Sequence, residues 1–302
     1  MSLHVPELEI MRAAELIRSG QLVAFPTETV YGLGANALDE EAVRRIFEAK
    51  ERPWASPLIV HVADEKMARS ITAEWPITAQ KLAKQFWPGP LTLVLKKAPI
   101  VPDLVTAGLD SVGVRMPSNP MALELIRRTG VPIAAPSANR FTQISPTTAE
   151  HVREGLGNRV NMILDGGPTS VGIESTVVAL HRAPPAILRP GIITAEELAR
   201  VAGVRFETEM DLPHIVESPG QHPRHYAPRT RLVLLEADAA APDGRGRILD
   251  MPADPKQFAA VLYAELHGAD REGWDWIAIR RPPDTPEWAG ILDRLQRASA
   301  QA

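Results

Sequence analysis

The chain contains no cysteine. That removes disulfides, thiol nucleophiles, cysteine-based zinc sites and iron–sulfur clusters together, and it fits a reducing compartment. No apolar run approaches the roughly 18 residues of a membrane-spanning helix. The opening MSLHVPELEIMRAAEL carries acids early and lacks the basic and apolar regions of a signal peptide, so a soluble, cytoplasmic protein is expected. A surplus of positive charge is missing too. The net charge of −4 gives no electrostatic case for a nucleic-acid or membrane partner, although a local patch can sit inside a balanced total. There is no G-x-x-x-x-G-K-[ST] phosphate loop, no G-x-G-x-x-G fingerprint and no G-x-S-x-G nucleophile elbow. Among the histidines only His222 and His225 stand at ligand-like spacing, and zinc there would lack its remaining ligands.

What is present is alternation. Residues 7–19 place Leu8, Met11, Ala14 and Ile17 on one helical face, and a strand follows at 21–25. A helix opens at Asp39 as N-cap, with Val43, Ile46 and Phe47 turned inward. PLIVHV, LTLVLK and SVGVRMP read as strands, and NPMALELIRRTG reads as a helix with Asn119 as cap, Pro120 at its first position and Gly130 beyond its end. VPIAAPSAN, VNMILDGG, ESTVVAL and PAILRPG supply four more short strands. A capping box at Thr194 and Glu197 then starts another helix. The pattern predicts an α/β domain over 1–206 on an open twisted sheet with flanking helices. Several neighbouring strands leave no room for a helix between them, so a mixed sheet is expected. Residues 207–230 read as a linker, rich in proline, histidine and charge, and 231–302 as a small C-terminal α/β domain.

The densest stretch is FPTETVYGLGANA. Pro26 stops the strand, and Thr27, Glu28, Thr29 and Tyr31 precede Gly32 and Gly34, which let the backbone turn tightly or approach something closely. Elsewhere polar residues stand at strand ends. Lys50, Arg52, Ser56 and His61 flank one strand; Ser111 and Arg115 lie four apart on another and share a face. Ser137, Asn139, Ser145 and Thr147 follow within eleven residues, then Glu174, Ser175, Thr176 and Arg189. Singly, each has a dull explanation in helix-dipole or turn chemistry. Together, several cations and many hydroxyls beyond the ends of an open sheet suit a polyanionic ligand. No nucleophile stands beside a base. The residues alone therefore point to a phosphate or nucleotide in a cleft, with catalysis by positioning and charge.

The ordered motifs FPTETVYGLGANA, KERPWASPLIVHV, FWPGPLTLVL, VGVRMP, PIAAPSAN, ILDGG, ESTVV and ILRPG resemble the threonylcarbamoyl-AMP synthases of the YrdC/YwlC type over about residues 8–205. The linker motif SPGQHPRHYAP and the small domain resemble the longer, two-domain branch. The resemblance implies a YrdC-like fold and a nucleotidyltransferase that joins L-threonine, bicarbonate or CO2, and ATP into threonylcarbamoyl-AMP with release of pyrophosphate. It implies Mg²⁺ carried by ATP and no metal held by the protein. A separate tRNA threonylcarbamoyl transferase complex would take the product. Carried over by position, the family pattern assigns Thr29, His61, Arg115, Ala135 and Ser175 to L-threonine. It assigns Lys50, Arg52, Ser56, Ser111, Ser137, Asn139, Ser145, Arg189 and Tyr226 to ATP, with Lys50 and Arg52 stabilising charge and no covalent nucleophile. Glu28 and Tyr31 would be pocket wall, and Tyr226 would reach over the nucleotide as part of a lid. Ser56 stands where many members have asparagine, and Ser111 where threonine is common. The C-terminal domain is also shorter than in typical relatives.

Three other readings compete. A double-stranded RNA-binding module would rely on phosphate contacts that the acidic balance does not favour. A hydrogenase-maturation carbamoyl-adenylate enzyme would carry cysteine-rich zinc motifs. An ATP sensor would bind the nucleotide without turning it over.

Overall fold

The computed structural model describes residues 5–208 and 224–300; most of the expected linker, with His222, lies outside them. The chain runs α1 (Val5–Arg18), β1 (Val23–Pro26), β2 (Tyr31–Asn36), α2 (Glu40–Lys50), β3 (Ile59–His61), α3 (Glu65–Ser70), α4 (Ile77–Phe86) and β4 (Leu91–Lys96). It continues through α5 (Asp103–Thr106), β5 (Ser111–Arg115), α6 (Pro120–Thr129), β6 (Ile133–Ala134), α7 (Ala149–Leu156), β7 (Met162–Ile163), β8 (Thr176–Ala179), β9 (Ala186–Arg189) and α8 (Ala195–Ala202). The C-terminal part holds β10 (Arg231–Leu235), β11 (Gly246–Ile248), α9 (Pro255–Arg271), β12 (Trp276–Arg280) and α10 (Ala289–Ser299).

Among the described residues nine strands form one sheet in the order β7-β1-β2-β6-β3-β5-β4-β8-β9. It is mixed: β1 pairs antiparallel with β2 and parallel with β7, while β3 and β5 run parallel and β4 and β5 antiparallel. Strand alternation decides which layer each residue joins. Val23 and Phe25 face α1 and α6, whereas Leu22 and Ala24 join the larger core built with α2, α4, α7 and α8.

The helix boundaries follow local chemistry. Asp39 Oδ1 accepts from the backbone N–H groups of Glu41 and Ala42 at 3.0 and 3.2 Å, a cap worth about 1 kcal/mol. Asn119 caps α6 ahead of Pro120, and Gly130 ends it in the left-handed region at φ 70°. Thr194 and Glu197 form the capping box of α8.

The FPTETVYGLGANA stretch departs from expectation. It is not a strand followed by a glycine turn but the β1–β2 hairpin, in register from Val23 opposite Gly34 to Pro26 opposite Tyr31. Gly34 stands inside a strand because a Cβ there would lie 2.7 Å from the Phe25 ring and 2.9 Å from Ile133. The helix α7 and the short β11 are further elements that the sequence patterning did not show.

In the C-terminal part β10 and β11 flank β12, both parallel to it. Its core does not stop at a domain boundary. Val30, Ile144 and Ile173 of the large domain pack in one cluster with Tyr226, Tyr263, Leu266 and Ile291. The backbones also touch: a Cβ on Gly290 at the start of α10 would meet Gly191 O at 2.7 Å. Among the described residues no helix is long and apolar enough to cross a membrane.

Candidate active site

The strand ends converge on a cavity of about 50 Å³. The β1–β2 hairpin contributes Thr27, Thr29, Val30 and Gly32; Arg52 follows α2; Ile59 and His61 come from β3 and Arg115 from β5. Ala135, Pro136 and Ser137 follow β6, Glu174 precedes β8, Arg189 ends β9, and His225 and Tyr226 lead into the small domain.

The hairpin turn is held by hydroxyls. Thr27 Oγ1 donates to Val30 O at 2.6 Å and lies 2.8 Å from Thr29 Oγ1. The Thr27 hydroxyl has a single proton, so Thr29 must be the donor between the two. Toward a ligand Thr29 can then only accept, as suits an amine or a hydroxyl.

The parallel register of β3 and β5 sets His61 beside Arg115. Arg115 Nη2 lies 2.7 Å from Glu28 Oε1, both side chains nearly sequestered from solvent. Ser118 N donates to the other Glu28 oxygen at 3.1 Å. Burial, reinforced by the Arg115 charge, pulls the His61 pKa down to about 3. His61 is therefore neutral across the physiological range.

Three further buried cations, Lys50, Arg52 and Arg189, lie at or behind the cavity. Arg52 lies under the Phe141 ring at 5.6 Å and donates to Pro57 O at 3.2 Å. Burial, with Arg189 nearby, lowers its pKa to about 10. Lys50 Nζ donates to the carbonyls of Ser137 at 2.6 Å and Asn139 at 2.5 Å, so it fixes the PSAN loop from behind. Burial and then Arg52 hold its pKa well below the usual lysine value. Arg189 Nε and Nη2 donate to Ser175 O at 3.1 and 3.0 Å, and Nη2 reaches Ser175 Oγ at 3.1 Å. Tyr226 sits at φ 60°, with ring centroids 4.1 Å from His225 and 5.9 Å from Tyr263. Among the described residues Arg52 Nε and Tyr226 Oη have no hydrogen-bond partner. Each such buried atom costs about 1–3 kcal/mol, which a ligand with matching groups recovers.

Eight of the residues picked from sequence thus line one cavity: Thr29, Arg52, His61, Arg115, Ala135, Ser137, Arg189 and Tyr226. Lys50 and Ser175 back it. The other four do not line it. Ser56 is buried in the loop before β3. Ser111 pairs with Lys96 at the start of β5, about 13 Å along the strand from Arg115. Asn139 faces a neighbouring cleft of about 510 Å³ between the domains. Ser145 is fully buried and donates to Glu174 Oε1 at 2.6 Å. Tyr31 is not pocket wall: its ring packs in the main core, and its hydroxyl donates to Gly167 O at 2.7 Å. Glu28 is a partner of Arg115 rather than a wall. Glu174 and His225 line the cavity although neither was assigned a role. Glu174 had been visible at the start of ESTVV, next to Ser175.

Residues 15–191 match the Sua5/YciO/YrdC family, described as "Telomere recombination", and residues 193–300 match the threonylcarbamoyl-AMP synthase C-terminal domain. The threonylcarbamoyl-AMP synthase of Pyrococcus abyssi is 50% identical over 98% of this chain and 95% of its own. That of Bacillus subtilis is 41% identical over 96% and 93%. The crystal structure of P. abyssi Sua5 complexed with L-threonine superposes with a TM-score of 0.91, at 39% identity, over 99% of this chain and 96% of that one. With both domains matched and relatives aligned nearly end to end, the chain belongs to the Sua5/YciO/YrdC family, in its two-domain threonylcarbamoyl-AMP synthase branch.

Proposed function

We propose that the chain makes L-threonylcarbamoyl-AMP from L-threonine, bicarbonate or CO2, and ATP, as a nucleotidyltransferase. The observation that carries this reading is the cavity, which gathers the buried Arg52, Arg115 and Arg189 around the threonine-hairpin hydroxyls. That is what the reaction requires. The threonine amine loses a proton and adds to CO2 to form a carbamate. A carbamate oxygen then attacks the α-phosphorus, and the bond to the β-phosphate oxygen breaks as pyrophosphate leaves. The substrate supplies the nucleophile. The protein must align two anions, neutralise the leaving charge and keep water from a labile product.

In this reading Arg115 receives the amino-acid carboxylate, Thr29 accepts from its amine or hydroxyl, and neutral His61 and Ala135 shape the end of the pocket. Ser175 is held by Arg189 beside it. Arg52, Arg189 and Tyr226, with Lys50 and Ser137, serve the phosphate side. Glu174 at the cavity and Glu28 behind Arg115 are committed to Arg294 and Arg115 respectively. Neither is offered to a cation, so Mg²⁺ arrives bound to ATP oxygens and water, where it neutralises phosphate charge. The product would pass to a transferase that modifies the adenosine beside the anticodon of tRNAs reading codons that begin with A. The three arginines are 6% exposed or less, so they lend no support to an RNA-binding surface.

The test is pyrophosphate release from MgATP by purified protein, with threonine and bicarbonate omitted in turn. Release that needs both is expected. ATP binding with no release would leave a sensor and overturn the proposal.

A further inference from the structure

Helix α10 reads as an ordinary amphipathic helix, yet Arg294 lies on its apolar stripe between Ile291, Leu295 and Ala298 and is fully buried. Its hydrogen bonds cross into the large domain. Nε donates to Glu174 Oε2 at 3.0 Å, Nη2 to Glu174 O at 3.3 Å, and Nη1 to Pro190 O at 2.6 Å. Nη1 also reaches Asp293 Oδ2 at 2.8 Å. The Tyr263 hydroxyl of α9 donates to the same Glu174 oxygen at 3.0 Å, and Ser145 takes the other. The guanidinium also lies over the Tyr226 ring at 5.4 Å.

Two elements of the small domain therefore meet a single carboxylate that lines the cavity beside Arg189. Burial raises the Glu174 pKa, but the Arg294 and Arg189 charges and the Ser145 hydrogen bond outweigh it and hold the carboxyl below its usual range. Glu174 stays charged. A bare anion there would repel a polyphosphate and compete for Arg189.

We propose that Arg294 is a positioning residue for the reaction: it neutralises Glu174, so that the cavity accepts ATP, and holds Glu174 as the acceptor that orients Ser145. The small domain is then part of the ATP site. This rests on the threonylcarbamoyl-AMP reading, and it is tested in a way that separates the two.

The full-length chain is compared as wild type, Arg294→Met, Arg294→Lys, Glu174→Gln, Tyr263→Phe and the Arg294→Met/Glu174→Gln double variant. The readouts are the ATP Kd by calorimetry, KM for ATP and for threonine by pyrophosphate release, and Tm. Arg294→Met should weaken ATP about tenfold or more while changing the threonine KM about threefold or less. Arg294→Lys should stay within about threefold of wild type, since it keeps the charge, and the double variant should recover most of the lost ATP affinity. Equal ATP affinity in the single and double variants would overturn the proposal. So would parallel loss in both KM values that tracks Tm, the signature of a staple. If Arg294→Met does not fold, Tyr263→Phe carries the test: a roughly threefold weaker ATP Kd is expected, and no change overturns the idea. A wild type that binds ATP without releasing pyrophosphate would refute the reaction alone, because the Kd comparison still decides the role of Arg294.

Discussion

On the proposed assignment, replacing Arg115 by lysine should separate threonine binding from ATP binding without unfolding the chain. The difficulty with alanine at this position is Glu28, 6% exposed and 2.7 Å from the guanidinium. Removing the positive charge strands a buried carboxylate and costs about 3–5 kcal/mol, enough to confuse binding with folding. Lysine keeps a cation opposite Glu28 but loses the planar fork that can serve two carboxylates at once. The substrate carboxylate should lose at least one charge-assisted hydrogen bond, worth about 1.5–3 kcal/mol. That corresponds to a threonine KM raised roughly 10- to 100-fold. The ATP KM should move less than about threefold, because Arg52 and Arg189 are untouched. Pyrophosphate release would be titrated in threonine at saturating MgATP, then in ATP at saturating threonine, with a thermal melt as control for folding. Equal rises in both requirements, or an unchanged threonine requirement at normal Tm, would refute the assignment of Arg115 to the carboxylate.

Tyr226→Phe keeps the packed ring and removes only a hydroxyl that bonds nothing among the described residues, so it should lower turnover about threefold or more at an unchanged Tm; unchanged turnover would remove that hydroxyl from the site. Gly290→Val should drive a side chain into Gly191 O, 2.7 Å from the added Cβ, and lower Tm by several degrees; an unchanged melt would mean the domains do not dock as described. Stability should also fall on mild acidification. His61 and His267, each held mainly by burial at a pKa of about 3 rather than 6.5, stay neutral while folded, whereas the unfolded chain takes up their protons. The contribution is complete above about pH 6.5 and shrinks as pH falls toward 3, by up to about 1.4 kcal/mol per pH unit for each histidine. Melts between about pH 7 and 5 should show the slope, and His267→Gln should reduce it; a flat Tm across that range would contradict the burial argument.

How legible each element was depended on where its cause lies. The caps at Asp39, Asn119 and Thr194 are local chemistry, and the helices they start are visible in a few adjacent residues. The strand β2, YGLGAN, is not, because its glycines carry a turn signal while their reason is tertiary. Gly34 makes room for Phe25 and Ile133, which come from elsewhere in the chain. The same holds for Gly246 of β11, where the Trp276 ring occupies the space of a side chain. Site residues were legible as a set through ordered motifs, but spacing alone could not separate those that line the cavity from those that support it. Ser111 and Arg115 share a strand face, yet only Arg115 stands at the strand end that opens on the cavity.

Arg294 shows what kind of signal remained unread. An arginine three residues after Ile291 and four before Ala298 breaks the apolar stripe of its own helix. Such a break has two outcomes: the stripe is exposed there, or the charge is met by another buried one. The helix could not report which, because the partner, Glu174, lies 120 residues away in a segment read as a strand start. Each residue is anomalous alone, a carboxylate in an apolar strand entry and a guanidinium on a buried face, and the anomalies cancel only when the domains are docked. If the cavity takes ATP, as proposed, this dependence has a consequence. On the proposal above, the large domain alone would leave Glu174 to draw on Arg189, and ATP affinity should fall without the small domain. On that proposal, the pairing of these two buried charges links the second domain to the chemistry of the first.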